Sequence, residues 1–442
     1  MSRHPLLEQL YAAPYAGYAY SYPHKTAYRA LEPTVSLADA WAKEDKNALF
    51  LYLHIPFCEM RCGFCNLFTV ANPKADLRVP YLDALARQIK ATKNALGEFR
   101  FSRLSIGGGT PTFLDLADLE RMFKFLRVDL GMNLDEIPSA IEVSPGTVDR
   151  EKLRLLKAVG VDRVSMGVQS FHAEIAQAMG RPVKGDVVLQ ALDLLAEADF
   201  PRLNLDLIYG GAGQSREKWA ESLQKAVDFG PQEIFLYPLY VRPLTGLDKT
   251  AGEWDDMRLA LYQQGRDFLL ENGYAQVSMR MFRKPASVFQ DAPIYHCQED
   301  GMVGLGVGAR SYTRNLHYSS AYSVGRKGLK NIISGYNSSS ELDFSRINHG
   351  VYLQEEEEKR RYLIKSLLHA EGLNAGAYRA WFGGDVCSDF PELDMLMGCG
   401  LVVEFKAGFW RLTAEGMMLS DALGPWLYSV AVKSGMEAYK WS

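Results

Sequence analysis

The feature that most constrains the fold is a repeated alternation, in the first half of the chain, between short apolar runs and longer amphipathic segments. The strand-like runs are LFLYLHI, RLSI, SAIEVS, RVSMGVQS, RLNLDLIYG and EIFLYPLY, and helix-like segments separate them. Strands that alternate with helices pair in parallel through right-handed crossovers. The six units therefore predict an α/β fold with a partial (β/α)6 barrel, and a doubly wound sheet is the alternative.

Chemically unusual residues follow these predicted strands. A cysteine-rich loop follows the first strand and GGGTP follows the second, while Glu142, Gln169, Asp206 and Tyr240 lie within or near the ends of the next four. Barrel enzymes collect their reactive groups at the carboxyl ends of the strands. This placement favours the barrel and predicts that its carboxyl-terminal end carries the functional site.

The alternation weakens after residue 245, and a new helical unit follows the polar segment SGYNSSSELD. Three predicted helices and a two-stranded wing give this last unit a winged-helix-like pattern. We therefore predict four segments: an N-terminal arm (1–48), a β/α barrel (49–245), a barrel extension with linker (246–345) and a C-terminal winged-helix-like domain (346–442).

Composition and charge limit the cellular compartment and the classes of partner that we expect for this chain. The formal net charge of -4 over 442 residues gives no basic field for nucleic acid, and no apolar run is long enough to cross a bilayer. The acidic segments EEEE and SDFPELDM indicate that the C-terminal domain is a lid or docking unit rather than a reader of nucleic acid. Half of the six cysteines lie in one loop, which indicates a metal centre in a reducing compartment and not a disulfide framework. We expect a cytoplasmic protein with neither nucleic-acid nor membrane partners.

The cysteine loop has the pattern C-x3-C-x2-C, formed by Cys58, Cys62 and Cys65. Cysteine thiolates hold iron-sulfur clusters, and three of them on a [4Fe-4S] cubane leave one iron open for a small chelating ligand. The alternative is a zinc ion completed by His54. The spacing favours the cluster.

These cysteines, the aromatic Phe64 and the GGGTP segment together resemble the radical S-adenosylmethionine (SAM) superfamily. The finer resemblance is to the oxygen-independent coproporphyrinogen III dehydrogenase family, through YLHIPFC, GGGTPT, IEVSP, SMGVQSF, NLDLIYG and GLGVGARSY. It covers most of the chain, including the C-terminal winged-helix-like domain. It implies a [4Fe-4S] cluster that cleaves SAM to methionine and a 5'-deoxyadenosyl radical, a reducing electron donor such as flavodoxin or ferredoxin, and a second SAM beside the first.

The resemblance also implies roles for individual residues. Glycine after the second strand allows a ligand to approach the backbone closely, and a carboxylate can accept hydrogen bonds from ribose hydroxyls. The implied contacts of the first SAM are Tyr52, Gly108 and Glu142. Those of the second SAM are Phe64, Gly109, Thr110, Gln169, Arg181 and Asp206, with Tyr240 and Arg310 at further contact positions where this sequence departs from the family.

The N-terminal segment SYPHK matches an SYP element of the family, whose N-terminal region covers the active site. Tyr22, His24 and Lys25 are therefore predicted to contact an organic substrate, and an anionic substrate would suit the last two. The alternative is a packed arm with Tyr22 in a groove. Cys297 is a further predicted substrate contact, with a small buried apolar role as its alternative.

One departure from the family bears on the reaction. Leu67 occupies the position of a fourth family cysteine, and relatives without that cysteine include radical methylases, cyclopropanases and a haem chaperone. The retained second-SAM positions favour methyl or alkyl transfer to an unactivated carbon. The alternatives are coproporphyrinogen-like oxidative decarboxylation in tetrapyrrole metabolism and a haem-binding or haem-trafficking protein.

Overall fold

A computed structural model describes residues 4–19, 21–249, 256–285, 301–323 and 325–440. The strands are β1 (Arg29–Ser36), β2 (Leu49–Ile55), β3 (Phe57–Cys58), β4 (Val70–Ala71), β5 (Phe101–Gly108), β6 (Ser139–Val143), β7 (Arg163–Gln169), β8 (Arg202–Tyr209), β9 (Glu233–Pro238), β10 (Ala275–Gln276), β11 (Met281–Arg283), β12 (Met302–Leu305), β13 (Arg310–Tyr312), β14 (Leu316–Ser319), β15 (Arg346–Tyr352), β16 (Leu373–Asn374), β17 (Val402–Lys406) and β18 (Phe409–Leu412).

The helices are α1 (Pro5–Ala12), α2 (Leu37–Trp41), α3 (Ala75–Leu96), α4 (Leu116–Lys124), α5 (Arg150–Ala158), α6 (Ala173–Ala178), α7 (Gly185–Ala198), α8 (Arg216–Asp228), α9 (Arg258–Glu271), α10 (Arg326–Ser338), α11 (Glu341–Phe344), α12 (Glu355–Leu367), α13 (Ala375–Phe382), α14 (Val386–Asp389), α15 (Glu392–Gly398), α16 (Ala414–Met418), α17 (Ser420–Trp426) and α18 (Val430–Glu437). Among them, none combines the length with the apolar character needed to span a membrane.

Six parallel strands form the centre of the fold, in the order β2-β5-β6-β7-β8-β9. They coincide with the six apolar runs of the sequence. Six of the seven residues of β2 are buried, as expected for a strand covered on both faces by helices and loops. The complete sheet has thirteen strands and ends at β1 and β10, so it is open. This confirms the predicted α/β partial barrel.

The later part of the chain extends the same sheet. β12 pairs in parallel with β2, and β13, β14, β15 and β1 follow in antiparallel order. On the other side, β11 and β10 add antiparallel strands beside β9. Much of the predicted extension therefore belongs to the central sheet, and the segment boundaries stay predictions.

The C-terminal helical unit contains α12 to α18 and a three-stranded sheet in the order β16-β18-β17. Its helices followed by a hairpin match the winged-helix-like pattern. The N-terminal arm packs against this unit, because Gly17 donates a backbone hydrogen bond to the carbonyl of Asp421 at 3.0 Å. The arm and the C-terminal unit thus contact each other beside the central sheet.

Candidate active site

The carboxyl ends of the parallel strands bring the cysteine loop and the glycine-rich segment together. The backbone N–H of Gly109 donates to the Ile55 carbonyl at 2.8 Å, and that of Thr110 donates to the Phe57 carbonyl at 2.6 Å. These bonds tie the segment after β5 to the start of the cysteine loop. The cysteine loop and the glycine-rich segment therefore lie next to each other at the carboxyl ends of β2 and β5.

Hydrogen-bond donors surround two of the cysteine sulfurs. The Cys58 Sγ atom accepts from the Thr69 Oγ1 at 3.1 Å and from the Thr110 Oγ1 at 3.5 Å. The Arg181 Nη1 lies 3.4 Å from the Cys62 Sγ. Donors of this kind stabilise the thiolates that ligate iron. Burial, followed by the charge of Cys62, raises the pKa of Cys65 to about 12, so that a bound cation is needed to hold this thiol ionised.

His54 is held in place by two hydrogen bonds. Its Nε2 lies 2.9 Å from the carbonyl oxygen of Phe68, which can only accept, so Nε2 carries the proton and Nδ1 accepts from the Tyr52 hydroxyl at 3.2 Å. Burial lowers the pKa of His54 to about 4. Within the described part of the chain, no three histidine, cysteine or acidic side chains converge on one ion position. Both ring nitrogens of His54 are engaged within the protein, and this geometry favours the cluster over a zinc ion completed by His54.

Gly108 creates room at the end of β5. Its φ angle is +113°, and a Cβ atom there would lie 2.6 Å from the His54 ring. The Gly108 N–H donates to the Glu142 Oε2 at 3.1 Å. Only glycine combines this backbone conformation with such a close approach. The peptide and the carboxylate are thereby fixed at the carboxyl end of β5.

Two carboxylates, Glu142 on β6 and Asp206 on β8, lie close enough to interact electrostatically. Burial, followed by the negative charge of Asp206, raises the pKa of Glu142 to about 7, although solvent still reaches the Glu142 side chain. Burial also raises the pKa of Asp206 to about 6, against the effect of the Asn204 amide, which donates to Asp206 at 2.7 Å. Both can accept hydrogen bonds from hydroxyl or ammonium groups of a ligand.

Gln169 at the end of β7 and Arg181 after α6 are the next two predicted site residues. Gln169 has a φ of +68° beside an irregularity in the β7–β8 pairing, a conformation that costs of order 1–3 kcal/mol for a residue other than glycine. The Arg181 Nη2 donates to the Gly167 carbonyl at 2.8 Å and lies 3.4 Å from the Ser144 hydroxyl. The buried Arg181 Nε has no hydrogen-bond partner among the described residues. This N–H can bind a ligand oxygen.

Phe64 and Tyr240 are placed differently from each other. Phe64 packs against a small apolar cluster that includes Ile208 and lies under the cysteine loop. The Tyr240 hydroxyl instead donates to Asp421 of α17 and accepts from the Arg280 Nη2 at 3.2 Å. The structure thus engages the Tyr240 hydroxyl in the contact with the C-terminal helical unit, and its predicted cofactor role stays a prediction.

The three predicted substrate contacts of the N-terminal segment, Tyr22, His24 and Lys25, differ in burial. Tyr22 is 1% exposed, donates to Glu357 and accepts from the Ser429 N–H at 3.2 Å, the arrangement of the packed-arm alternative. His24 and Lys25 are half-buried. Cys297 lies outside the described residues.

Lys25 lies beside the cysteine loop in a group of cations. Its Nζ is 3.6 Å from the centre of the Tyr322 ring, and the Tyr322 hydroxyl donates to the Asn66 carbonyl at 2.6 Å. Burial, followed by the charge of Arg310, lowers the pKa of Lys25, and Arg242 acts in the same direction. We call Lys25, Arg242 and Arg310 the cationic group. Arg242 and Tyr322 escaped the sequence analysis because no local motif marks them.

The matching family model is that of the Radical SAM superfamily, over residues 52–226. The matched range contains the cysteine loop, the glycine-rich segment and the strand ends described above. It ends before the C-terminal helical unit.

Similar proteins extend the match over most of the chain. The oxygen-independent coproporphyrinogen III oxidase of Escherichia coli (strain K12) is 29% identical over 91% of both chains. The heme chaperone HemW of Synechocystis is 30% identical over 60% of this chain and 69% of that protein. The solved structure of coproporphyrinogen III oxidase (HemN) from Escherichia coli superimposes with a TM-score of 0.75 and 24% identity, covering 91% of this chain and 96% of that chain. This structural match shows a shared fold.

The superfamily implies a [4Fe-4S] cluster and SAM, and the residues of this site fit both groups. Three cysteines in one loop supply thiolates, and the orphaned Nε of Arg181 offers a donor to a ligand carboxylate. Gly107 leaves room for the carboxylate of Glu142, which a Cβ atom there would approach to 2.9 Å. Taken with the relatives, these features show that the chain belongs to the radical SAM superfamily, in the family that contains the oxygen-independent coproporphyrinogen III oxidases and the HemW heme chaperones.

Proposed function

We propose that this protein catalyses the radical oxidative decarboxylation of a porphyrinogen-like polycarboxylate. A propionate side chain would lose one hydrogen atom and CO2 to become a vinyl group, and the remaining electron would pass to a one-electron acceptor. The relatives described above are named as coproporphyrinogen III oxidases and heme chaperones, which supports this reaction better than the methyl or alkyl transfer that the sequence favoured. Methyl transfer therefore serves as the outcome against which the proposal is tested.

The observation that carries the proposal is the cationic group beside the cysteine loop. Lys25 is connected to the residue after Cys65 through Tyr322, and Arg310 and Arg242 lie close enough to act on its pKa. Cations placed together repel one another and bind carboxylates strongly. Porphyrinogen propionates supply such carboxylates.

The cofactors supply a 5'-deoxyadenosyl radical, and the residues of the chain bind and orient the reactants. Arg181 offers an N–H donor at the strand ends, where the Gly108 N–H holds the Glu142 carboxylate. Glu142 and Asp206 accept hydrogen bonds there. The cationic group, which lies beside the cysteine loop, binds propionates and holds one substrate side chain near that loop. A second SAM, where bound, would use the carboxylate-binding N–H of Arg181.

The test is anaerobic turnover of the cluster-reconstituted protein with coproporphyrinogen III, reductant and SAM carrying a deuterated methyl group. Mass spectrometry should detect loss of CO2 from the substrate and formation of 5'-deoxyadenosine, without methyl-derived label in the product. Lys25→Ala should raise the KM for coproporphyrinogen by about tenfold, since a charged hydrogen bond is lost. Lys25→Arg should retain most of the affinity.

Lys74→Ala is the matched control, because Lys74 is an exposed lysine before α3 and should leave the KM unchanged. Methyl-derived carbon in the product without loss of CO2 would replace this proposal with alkyl transfer. Tight binding of hemin, seen as a Soret band, with no deoxyadenosine formed would replace it with haem trafficking.

A further inference from the structure

A cavity of about 370 Å³ lies between the β13–β14 turn and the C-terminal helical unit, away from the cysteine loop. We call it the seam cavity. Its size falls in the range of small-molecule sites. The lining residues that matter here are Arg314, Arg361, Tyr362, Lys365, Trp381 and Phe382.

Cationic side chains form one wall of the seam cavity. Arg361 and Lys365 lie one turn apart on α12, and Arg361 is buried. Arg314 reaches in from the β13–β14 turn, where its Nε lies 2.9 Å from Glu358. Glu371, the other carboxylate of the lining, is exposed. The buried end of the cavity therefore has positive character.

Aromatic rings form another part of the cavity wall. Trp381 is 61% exposed, unusual for the largest apolar side chain, and the Arg314 guanidinium lies 5.4 Å from its ring. Phe382 and Tyr362 meet edge to face at 5.7 Å between ring centres. Such a wall suits a planar ring that stacks on the Trp381 indole.

A buried histidine lies near the cationic wall. His317 on β14 is inaccessible to solvent, and neither of its ring nitrogens has a hydrogen-bond partner among the described residues. Burial, followed by the charges of Arg361 and Lys365, lowers its pKa well below the usual range. Buried polar atoms without partners are rare in folded proteins.

We propose that the seam cavity is a second ligand site, which binds a small planar aromatic molecule bearing one anionic group. The ring stacks on Trp381, and the carboxylate or phosphate of the ligand is bound by Lys365 and Arg361. The cavity lining contains none of the cysteine-loop or strand-end residues, so this site is separate from the one that takes SAM. The proposal does not depend on the reaction proposed above.

The experiment is calorimetric titration of the anaerobic holoenzyme, saturated with SAM and without reductant, so that the SAM site is blocked. Adenosine monophosphate is the phosphate-bearing probe and indole-3-carboxylate is the carboxylate-bearing probe. At least one of them should bind with a stoichiometry of one. Trp381→Ala and Lys365→Gln should each weaken that binding by about tenfold.

Lys359→Gln is the matched control, because Lys359 lies on the same helix but pairs with Glu355 and Asp389 instead of lining the cavity. It should leave the affinity unchanged. Far-UV circular dichroism and iron content should be the same for all variants, since Trp381 is exposed and Lys365 is half-buried. The proposal is overturned if neither probe binds at millimolar concentration, or if binding is the same in the Trp381 and Lys365 variants as in the wild type.

Discussion

Replacement of Asp421 by asparagine is expected to destabilise the whole assembly of N-terminal arm, central sheet and C-terminal helical unit. Asp421 is 1% exposed and forms an ion pair of 2.5 Å with Arg280, which is 3% exposed. The Tyr240 hydroxyl donates to the same carboxylate. The Arg280 guanidinium lies 3.6 Å from the centre of the Tyr18 ring. The mutation would leave a buried cation without its counter-charge.

The magnitude follows from this environment. Loss of one partner from a buried ion pair costs about 3–5 kcal/mol, because the remaining charge stays desolvated. The cation–π contact of Arg280 with Tyr18 is present in the wild type and in the variant, so it does not change this difference. The amide oxygen of the asparagine can still accept a hydrogen bond from Arg280, which places the loss near the lower end of this range. We therefore expect the free energy of unfolding to fall by about 3 kcal/mol. With a urea m-value of about 3 kcal/mol/M, the midpoint should fall by about 1 M.

The assay is anaerobic urea unfolding followed by both tryptophan fluorescence and circular dichroism. The double variant Asp421→Asn/Arg280→Met should recover most of the loss, since it removes the unpaired cation as well. Glu197→Gln, which breaks an exposed ion pair with Arg150, should change stability by less than about 1 kcal/mol. The reasoning is refuted if Asp421→Asn behaves like Glu197→Gln, or if the double variant is no more stable than the single one.

Three shorter predictions concern the catalytic cavity. The pKa of Glu142 is raised to about 7 from an ordinary 4.5, so the ligand-free wild type should lose stability as the pH rises through 7. Thermal denaturation from pH 5 to 8 should give a flatter stability profile for Glu142→Gln, and equal slopes for the two proteins would contradict this prediction. Thr69→Val removes a hydroxyl donor to the Cys58 sulfur and should lower the reduction potential of the cluster by about 50 mV in potentiometric titration, whereas Thr69→Ser should not. An unchanged potential in the valine variant would contradict a hydrogen bond between Thr69 and Cys58 in the holoenzyme. Gly108→Ala should destabilise the protein by about 1–3 kcal/mol, because the backbone there has a positive φ and the new Cβ atom would meet the His54 ring. A Cβ atom at Gly185 would meet no atom within 4 Å, so Gly185→Ala should be neutral or slightly stabilising. A neutral effect of Gly108→Ala would contradict the strain argument.

The central strands could be predicted from the sequence because their signal is local. LFLYLHI is the whole of β2, and the other five runs coincide with β5 to β9 to within two residues at most ends. Strands β12 to β15 were not recognised, since each is short or irregular and is specified by pairing with distant segments. A four-residue strand such as β12 carries too little periodicity to be read from sequence alone.

In the candidate site as well, the sequence predicts the features that depend on local position but not those that depend on contacts with distant segments. Gly108 ends β5, Glu142 precedes the last residue of β6 and Asp206 lies in the carboxyl-terminal half of β8, so topology places them toward one edge of the sheet. Tyr240 follows β9 by the same rule, yet its hydroxyl bonds to Asp421, which lies 181 positions further along the chain. Strand-end position predicts where a side chain begins and not which distant group it meets. Partners from the C-terminal unit could not be foreseen.

The cationic group also limits how ligands can be arranged in the cavity. SAM carries a positive sulfonium and a negative carboxylate, and Arg310 lies beside Lys25 at one end of the site. At a separation of about 4 Å and an effective dielectric constant of about 20, two like charges repel by about 4 kcal/mol, and opposite charges attract by the same amount. A sulfonium is therefore unfavourable next to Arg310, and a carboxylate is favourable there.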